Sequence, residues 1–437
     1  MLLSFRIANF RSLRDEQDLD LRCVYRKEER ALRVAAIYGS NASGKSNVLN
    51  ALKFMHDAIT EQNREWLHSP GTPRVPFLLD EESRSRPTSF AVDFIASGTH
   101  YSYGFGIDGS VVTDEWLHRY EGDVEEVVFD RRLDQYTLGA RVKSPRLELL
   151  QDITPGNGLF VSYAARAKIE VLQDVFDWFH KKLWFINDEL SNERVRRQHT
   201  AGMLDSAEAS DRVRRMIRAA DLGISNVRTI SHVPVLGPEY ADALIKLSVE
   251  SQPAAELVDF QVAADAAVRQ LRPQKQQTTV FEHSGERDAE FSFGDESKGT
   301  RTWFGLIGFV LDALDQGHTL VVDELDTSLH PLLVGQLVRL FQGPESNPNA
   351  AQLIFTSHDV SLLGRRAGEE ILRRDEIWFT EKGADGASEI FPLTDFKPPQ
   401  GLNWERRYLG GSIGAIPKIA GSALADASRS TASQADE

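Results

Sequence analysis

The residues with the clearest chemistry are Gly39-Ser40-Asn41-Ala42-Ser43-Gly44-Lys45-Ser46, which fit the spacing G-x-x-x-x-G-K-[ST]. Glycines at these places let a backbone turn its N–H groups toward one point, and a lysine and a hydroxyl follow at the mouth. That is the chemistry of a phosphate cradle. The run before it, Val34-Ala35-Ala36-Ile37-Tyr38, is apolar and β-prone. The run after it, Asn47 to Ile59, places Leu49, Leu52, Met55 and Ile59 on one helical face. A strand and a helix on either side are the context the motif requires, and the helix N-terminus adds its own pull on an anion. On this reading Gly39 to Asn47 bind ATP, Lys45 reaches the β- and γ-phosphates, and Ser46 offers its hydroxyl to Mg²⁺.

A second set lies far downstream. Thr319-Leu320-Val321-Val322 is a short apolar run that ends in Asp323-Glu324. Such a run reads as a buried parallel strand that delivers acids at its C-terminal end. Asp323 is expected to hold Mg²⁺, and Glu324 to orient or deprotonate the attacking water. Leu325-Asp326-Thr327-Ser328-Leu329-His330-Pro331 follows at once. A further strand ends in Phe355-Thr356-Ser357-His358-Asp359, which brings His358 toward the γ-phosphate or the water. Upstream, Asp295-Glu296-Ser297-Lys298-Gly299-Thr300 opens a helix and forms another anion site. It is surplus to a subunit whose own phosphates are already cradled, so it is expected to serve the ATP of a second subunit.

These residues need elements to place them. Met1 to Ala8 alternates like a strand. From Phe90 the chain reads as an antiparallel meander: Phe90 to Ile95, a Ser97-Gly98 turn, Tyr101 to Ile107, an Asp108-Gly109 turn, Val111 to Leu117, then Glu126 to Phe129. Ile169 to Ile217 is charged, helix-periodic and nearly free of Gly and Pro, whereas Pro273 to Gln277 reads as a polar connector. Ser297 to Asp315 and Leu332 to Phe341 read as helices, and Gln352 to Phe355 as a strand. The long gap between Lys45 and Asp323 fits one α/β head split by an insertion. The expected division is 1–150, a lobe with the phosphate loop and meander; 151–280, a helical insertion; 281–418, a second lobe; and 419–437, an Ala/Ser/Asp-rich disordered tail.

Composition narrows the class. Hydrophobic and charged fractions of 41% and 26% are ordinary for a globular chain, and 437 residues allow two or three compact units. A single cysteine, Cys23, excludes an internal disulfide and the common zinc clusters, and fits a reducing cytoplasm. No window approaches a run of about 20 apolar residues, so neither a membrane span nor a signal peptide is expected. The net charge of −15 disfavours a chain coated in nucleic acid, although a local basic patch remains compatible with it.

The ordered set of motifs resembles the ABC-type ATPase heads of the SMC, RecF and OLD superfamily. The resemblance implies a two-lobed α/β head. Gly39–Ser46 stands as Walker A, Ser297, Lys298, Gly299 and Thr300 as the signature, Leu320–Glu324 as Walker B, Asp326 in the D-loop and His358 as the switch histidine. Ile7-Ala8-Asn9-Phe10-Arg11-Ser12-Leu13 is similar to the superfamily's first strand and turn. More narrowly the chain resembles compact bacterial AAA-type ATPases of abortive-infection systems, through Asp221-Leu222-Gly223-Ile224, Asp375-Glu376-Ile377-Trp378-Phe379 and Tyr408-Leu409-Gly410. It departs from them where Phe160 to Ala165 holds no glutamine, and where Gly411-Ser412 replaces Gly-Arg.

The resemblance implies an ATP-hydrolysing switch with ATP and Mg²⁺ as ligands. It is expected to work as a homodimer or a higher even-numbered homo-oligomer, to sandwich two nucleotides between two copies, and to control a separate, nuclease-like effector. The stretch after His358 is short for the nuclease domain appended to OLD-type enzymes, so that activity is expected in another chain. The alternative is a DNA-repair or DNA-clamping ATPase. It draws on Arg194, Arg196, Arg197, Arg212, Arg214, Arg215 and Arg218, which otherwise read as a solvated helix face. Arg194 to His199 also matches an R-x-x-x-x-H ribonuclease spacing, a match that arises by chance in a chain this rich in arginine.

Overall fold

The computed structural model describes residues 1–60, 71–122, 124–142, 145–167, 169–186, 190–220, 222–232, 276–366, 368–396 and 403–417. The chain opens with β1 (Leu2–Ala8), β2 (Gln17–Asp20), β3 (Val34–Gly39), α1 (Lys45–Thr60) and the short α2 (Glu81–Ser85). The meander is β4 (Thr88–Ala96), β5 (Thr99–Ile107), β6 (Val112–Glu121), β7 (Val124–Arg132) and β8 (Gln135–Leu138). Then α3 (Pro145–Ile153), α4 (Phe160–Arg166) and α5 (Glu170–Asp177) lead through a π-helical turn, Trp178–Lys182, into β9 (Leu183–Ile186). Next come α6 (Leu190–Met203), α7 (Ala207–Ala219), β10 (Ile224–His232), β11 (Gln276–His283), β12 (Ala289–Ser292) and α8 (Lys298–Gln316). The chain closes with β13 (Thr319–Val322), α9 (Pro331–Gln342), β14 (Gln352–Thr356), the ribbon β15 (Arg365–Arg366) and β16 (Glu369–Glu370), β17 (Ile377–Lys382), β18 (Ser388–Pro392) and α10 (Trp404–Leu409).

Two sheets build the first compact unit, Met1–Asn192 with Val310–Glu437. The seven-stranded sheet runs β2-β1-β4-β5-β6-β7-β8, antiparallel throughout. The six-stranded sheet runs β18-β17-β3-β14-β13-β9, parallel except for the β17–β18 hairpin. Its inner strands β3, β14 and β13 are buried along their whole length, which explains their near-continuous apolar runs. The loops that follow β3, β13 and β14 therefore leave one edge side by side, where parallel α/β sheets gather their ligands.

α1 lies between the sheets. Phe54 stacks on Phe90 of β4 at 5.0 Å between ring centroids, while His56 packs edge-on against Phe185 of β9 at 5.3 Å. Val48, Leu49, Leu52, Met55 and Ile59 join Phe5, Phe94, Phe105, Val321 and Ile354 in one core. The helical spacing read from the sequence is thus the buried face of α1.

The boundaries of the insertion differ from those expected. The second unit is Glu193–Phe309, not 151–280. Leu183-Trp184-Phe185-Ile186 falls within the helix-periodic stretch, yet it forms β9 and pairs in parallel with β13 from Thr319↔Leu183 to Val322↔Ile186. That pairing ties everything up to Asn192 to the first unit. The second unit holds α7 and most of α6, and beside them an antiparallel sheet β10-β11-β12. Gln276 and Gln277, expected in a connector, open β11; the rest of that connector and the tail after 417 lie outside the described residues.

Candidate phosphate-binding site

The loop Gly39–Ser46 joins β3 to α1 and is held from two sides. Ser43 Oγ shares a hydrogen bond of 2.6 Å with Thr380 Oγ1 on β17. Asn47 Nδ2 donates to Ser12 Oγ at 2.7 Å, and Ser12 in turn meets Ser388 Oγ at 2.8 Å. Gly44 has φ +114°, and a Cβ there would stand 2.6 Å from Ser388 Oγ. Both the conformation and the space admit only glycine. Ala42 also takes a left-handed φ, +63°. Arg11 reaches toward the same turn, with Nη1 3.5 Å from Asn47 Oδ1.

Lys45 is buried, and its ammonium donates to the Gly39 and Ser40 carbonyls at 2.9 and 3.2 Å. Burial pulls its pKa below the usual lysine range, and the carboxylates of Glu324, Asp323 and Asp326 act in the opposite direction. The lysine thus lies within electrostatic reach of the acids that follow β13. Ser46 Oγ donates to Asp323 Oδ1 at 3.2 Å. A hydroxyl and a carboxylate this close are two hard oxygen donors at one point, a pair that suits Mg²⁺.

Glu324 and His358 present exposed side chains at this edge of the sheet. Glu324 sits at φ +51°, uncommon for a residue with a Cβ. The turn is tied down by Leu325 N to Thr356 O at 3.1 Å, Thr327 N to Glu324 O at 2.9 Å, and Thr327 Oγ1 to Glu324 Oε2 at 3.2 Å. Asp326 accepts the backbone N–H of His358, at 3.2 and 3.3 Å to its two oxygens. It therefore positions the histidine loop of its own chain, a contact that its D-loop reading did not include.

Two residues at this edge were not singled out from the sequence. Thr356 Oγ1 lies 2.5 Å from Asp323 Oδ1 and receives Glu324 N at 2.7 Å. Tyr38 donates its hydroxyl to the Asp359 carbonyl at 3.2 Å. Burial first, then the Asp359 and Asp326 carboxylates, raises its pKa, so the phenol stays a donor. Their signal was positional: each is the polar residue at the end of an apolar run.

The expected signature belongs to the second unit. Ser297 is exposed and caps α8: Thr300 N donates to Ser297 Oγ at 3.1 Å, and the two hydroxyls meet at 2.9 Å. Lys298 is exposed and Thr300 buried. Glu296 pairs with His283 at 2.8 Å.

The arginines of the same unit are largely engaged within it. Arg196 is buried, Arg197 lies 5.0 Å over the Phe293 ring, Arg214 donates to Val227 O at 3.2 Å, and Arg215 pairs with Asp211 at 3.3 Å. His199 packs on Phe309 at 4.4 Å between ring centroids. In the R-x-x-x-x-H spacing, Arg194 is exposed and His199 lies in that packing contact.

Among the described residues no group of three or more His, Cys, Asp or Glu forms a metal cluster, and no helix is long and apolar enough to cross a membrane. In fold the chain is similar to an SMC head bound to the C-winged helix domain of ScpA, with 12% identity over 90% of this chain and 99% of that one, at a TM-score of 0.46. It is similar to the SMC head domain from Thermotoga maritima, with 13% identity over 90% and 98% and a TM-score of 0.40. The same holds for an SMC head with an extended coiled coil bound to the C-terminal domain of ScpA from Pyrococcus furiosus, with 12% identity over 90% and 97% and a TM-score of 0.42. No curated protein matches the sequence. A family model described as "AAA domain, putative AbiEii toxin, Type IV TA system" matches residues 34–364, from the strand before the phosphate loop through the His358 loop, and the chain belongs to that family.

Proposed function

We propose that the chain is a cytoplasmic, ATP-hydrolysing switch subunit of a bacterial abortive-infection system. The observation that carries the ATPase half is the meeting of Ser46 and Asp323 at 3.2 Å, with Lys45 in electrostatic reach of Asp323, Glu324 and Asp326. In this reading Gly39 to Asn47 bind ATP, and Ser46 and Asp323 hold Mg²⁺, which neutralises charge on the β- and γ-phosphate oxygens when bound. Glu324 orients the attacking water and takes its proton, and His358 contacts the γ-phosphate side. Two copies enclose two nucleotides, each completed by Ser297, Lys298, Gly299 and Thr300 of the other. The family description, with its toxin–antitoxin setting, motivates the defence half. The sandwich then controls a separate effector of nuclease type.

The test is a pair of variants. Lys45→Ala loses the cation that meets the phosphates and is expected to abolish ATP binding. Glu324→Gln is expected to bind ATP normally and release phosphate at least about a hundredfold more slowly, because it loses a group used in the transition state. Wild-type turnover by Glu324→Gln would overturn the catalytic assignment. Co-purification with the product of the neighbouring gene tests the effector half.

A further inference from the structure

Thr356 ends β14, the strand between the phosphate-loop strand β3 and the acid-bearing strand β13. Its residue is fully buried. The parallel register pairs Thr356 with Ile37 on one side and the preceding Phe355 with Val322 on the other. Thr356 thus stands level with Asp323, one residue past the end of β13.

The hydroxyl has two partners whose chemistry fixes its direction. Asp323 as a carboxylate only accepts, so Thr356 donates to its Oδ1, at 2.5 Å. The Glu324 amide only donates, so Thr356 accepts from it, at 2.7 Å. One O–H therefore fixes a side chain and a backbone that belong to adjacent acids. The Asp323 oxygen it orients is the one that Ser46 Oγ also meets, at 3.2 Å. The amide it holds belongs to the residue at φ +51°, and the Thr356 carbonyl receives the next amide, Leu325 N, at 3.1 Å. A left-handed turn at a residue with a Cβ persists only where its surroundings hold it there.

We propose that the Thr356 hydroxyl is a positioning element of the ATP site: it aims the Asp323 carboxylate at the metal position and fixes the turn that presents Glu324. The proposal rests on the ATPase reading above. The Thr356 hydroxyl uses its donor on Asp323 and accepts from Glu324 N, so it acts through the two acids. Its loss is therefore felt in the response to Mg²⁺ and in turnover, and not in the grip of the phosphate loop.

The experiment compares Thr356→Val, which keeps the shape and removes the hydroxyl, with Thr356→Ser, which keeps the hydroxyl. Affinity for a fluorescent ATP analogue is measured with Mg²⁺ and with EDTA, and phosphate release is measured across a Mg²⁺ series. In Thr356→Val the EDTA affinity is expected to stay within about twofold of wild type. The gain in affinity on adding Mg²⁺ shrinks about tenfold, and kcat falls about tenfold to a hundredfold, the range for losing a bond to a charged group. Thr356→Ser is expected to restore most of both.

A Thr356→Val protein with wild-type Mg²⁺ response and turnover overturns the proposal. So does a Thr356→Ser protein as impaired as the valine variant, since packing would then be the cause. If the valine variant does not fold, Thr356→Ala against Thr356→Ser carries the same comparison. Failure of the ATPase reading looks different: wild-type phosphate release would survive Lys45→Ala. The Mg²⁺-linked affinity still tests the Thr356–Asp323 contact in that case.

Discussion

Tyr38 is the last residue before the phosphate loop, and its hydroxyl holds the carbonyl of Asp359, the residue after His358. It is buried against Phe379 and Tyr408, with ring centroids at 6.3 and 6.2 Å. Tyr38→Phe keeps that packing and drops one neutral hydrogen bond. Turnover is expected to fall about fivefold with ATP affinity unchanged, and the loss should vanish in a His358→Ala background, because both act on one loop. Phosphate-release assays on the four proteins of that cycle measure it; equal losses in both backgrounds would assign Tyr38 to packing alone. Glu376 carries a different prediction. It is wholly buried and accepts from Arg373 N at 2.7 Å and Gln342 Nε2 at 2.6 Å. Burial pushes its carboxyl from 4.5 up to about 7; the Arg373 and Gln342 contacts act against that rise, while Asp375 adds to it. The folded state thus binds this proton more tightly than the unfolded one. Its stabilising share is full below about pH 4.5 and is lost as pH rises through about 7, on the order of 3 kcal/mol in all. Glu376→Gln should therefore gain stability relative to wild type as pH is raised from about 5 to about 8. Thermal melts across that window read the difference, and a constant offset would show that Glu376 does not titrate there.

Between the meander and α4 sits a buried ion pair with a defined task. Glu115 on β6 accepts Phe160 N and Val161 N at 2.6 and 3.0 Å, and so caps α4. Arg131 on β7 lies 3.4 Å from Glu115 and donates to Gly158 O at 2.5 Å. Both side chains are wholly buried. α4 in turn ties Ser162 Oγ to Ile59 O, in the last turn of the phosphate-loop helix, at 2.8 Å. Burial raises the Glu115 pKa and Arg131 lowers it. Arg131→Met strands the carboxylate and should cost about 3–5 kcal/mol in urea unfolding. Adding Glu115→Leu should recover part of that loss; an additive double variant would mean the two groups do not work as a pair. Nothing in the sequence announced this pair, because Glu115 and Arg131 look like the outward residues of alternating strands and their burial is a tertiary fact. β9 was hidden for a related reason: four apolar residues after Lys181-Lys182 continue a helical pattern, and only pairing with β13 makes them a strand. The meander was legible because its turns carry Ser-Gly and Asp-Gly, with positive φ at Gly98 and Gly109. The phosphate loop was legible because its glycine is forced by space and φ. Thr356 was not, since a threonine that ends a buried strand looks the same whether or not an acid lies opposite.

At the scale of the whole molecule, Ser297 is the informative residue. It is exposed, and its hydroxyl caps α8. The sandwich reading gives this exposed helix start a partner: the γ-phosphate held by a second copy, in a two-fold pair where each copy completes the other's site. Arginine at this position adds bulk and charge at the contact while leaving Lys45, Ser46 and Asp323 untouched. Ser297→Arg is therefore expected to bind ATP with wild-type affinity, yet stay monomeric with ATP in sedimentation and lose hydrolysis. Lys45→Ala is expected to fail for the opposite reason, with an intact signature and no nucleotide of its own. Mixed, the two variants join one intact phosphate loop to one intact signature per dimer. Part of the wild-type turnover should then return, bounded by one working site in the fraction of dimers that are mixed. Neither protein alone can produce that recovery, so it separates a shared site from two independent defects. Wild-type hydrolysis by a monomeric Ser297→Arg protein would end the sandwich reading and leave the phosphate loop to act within a single chain.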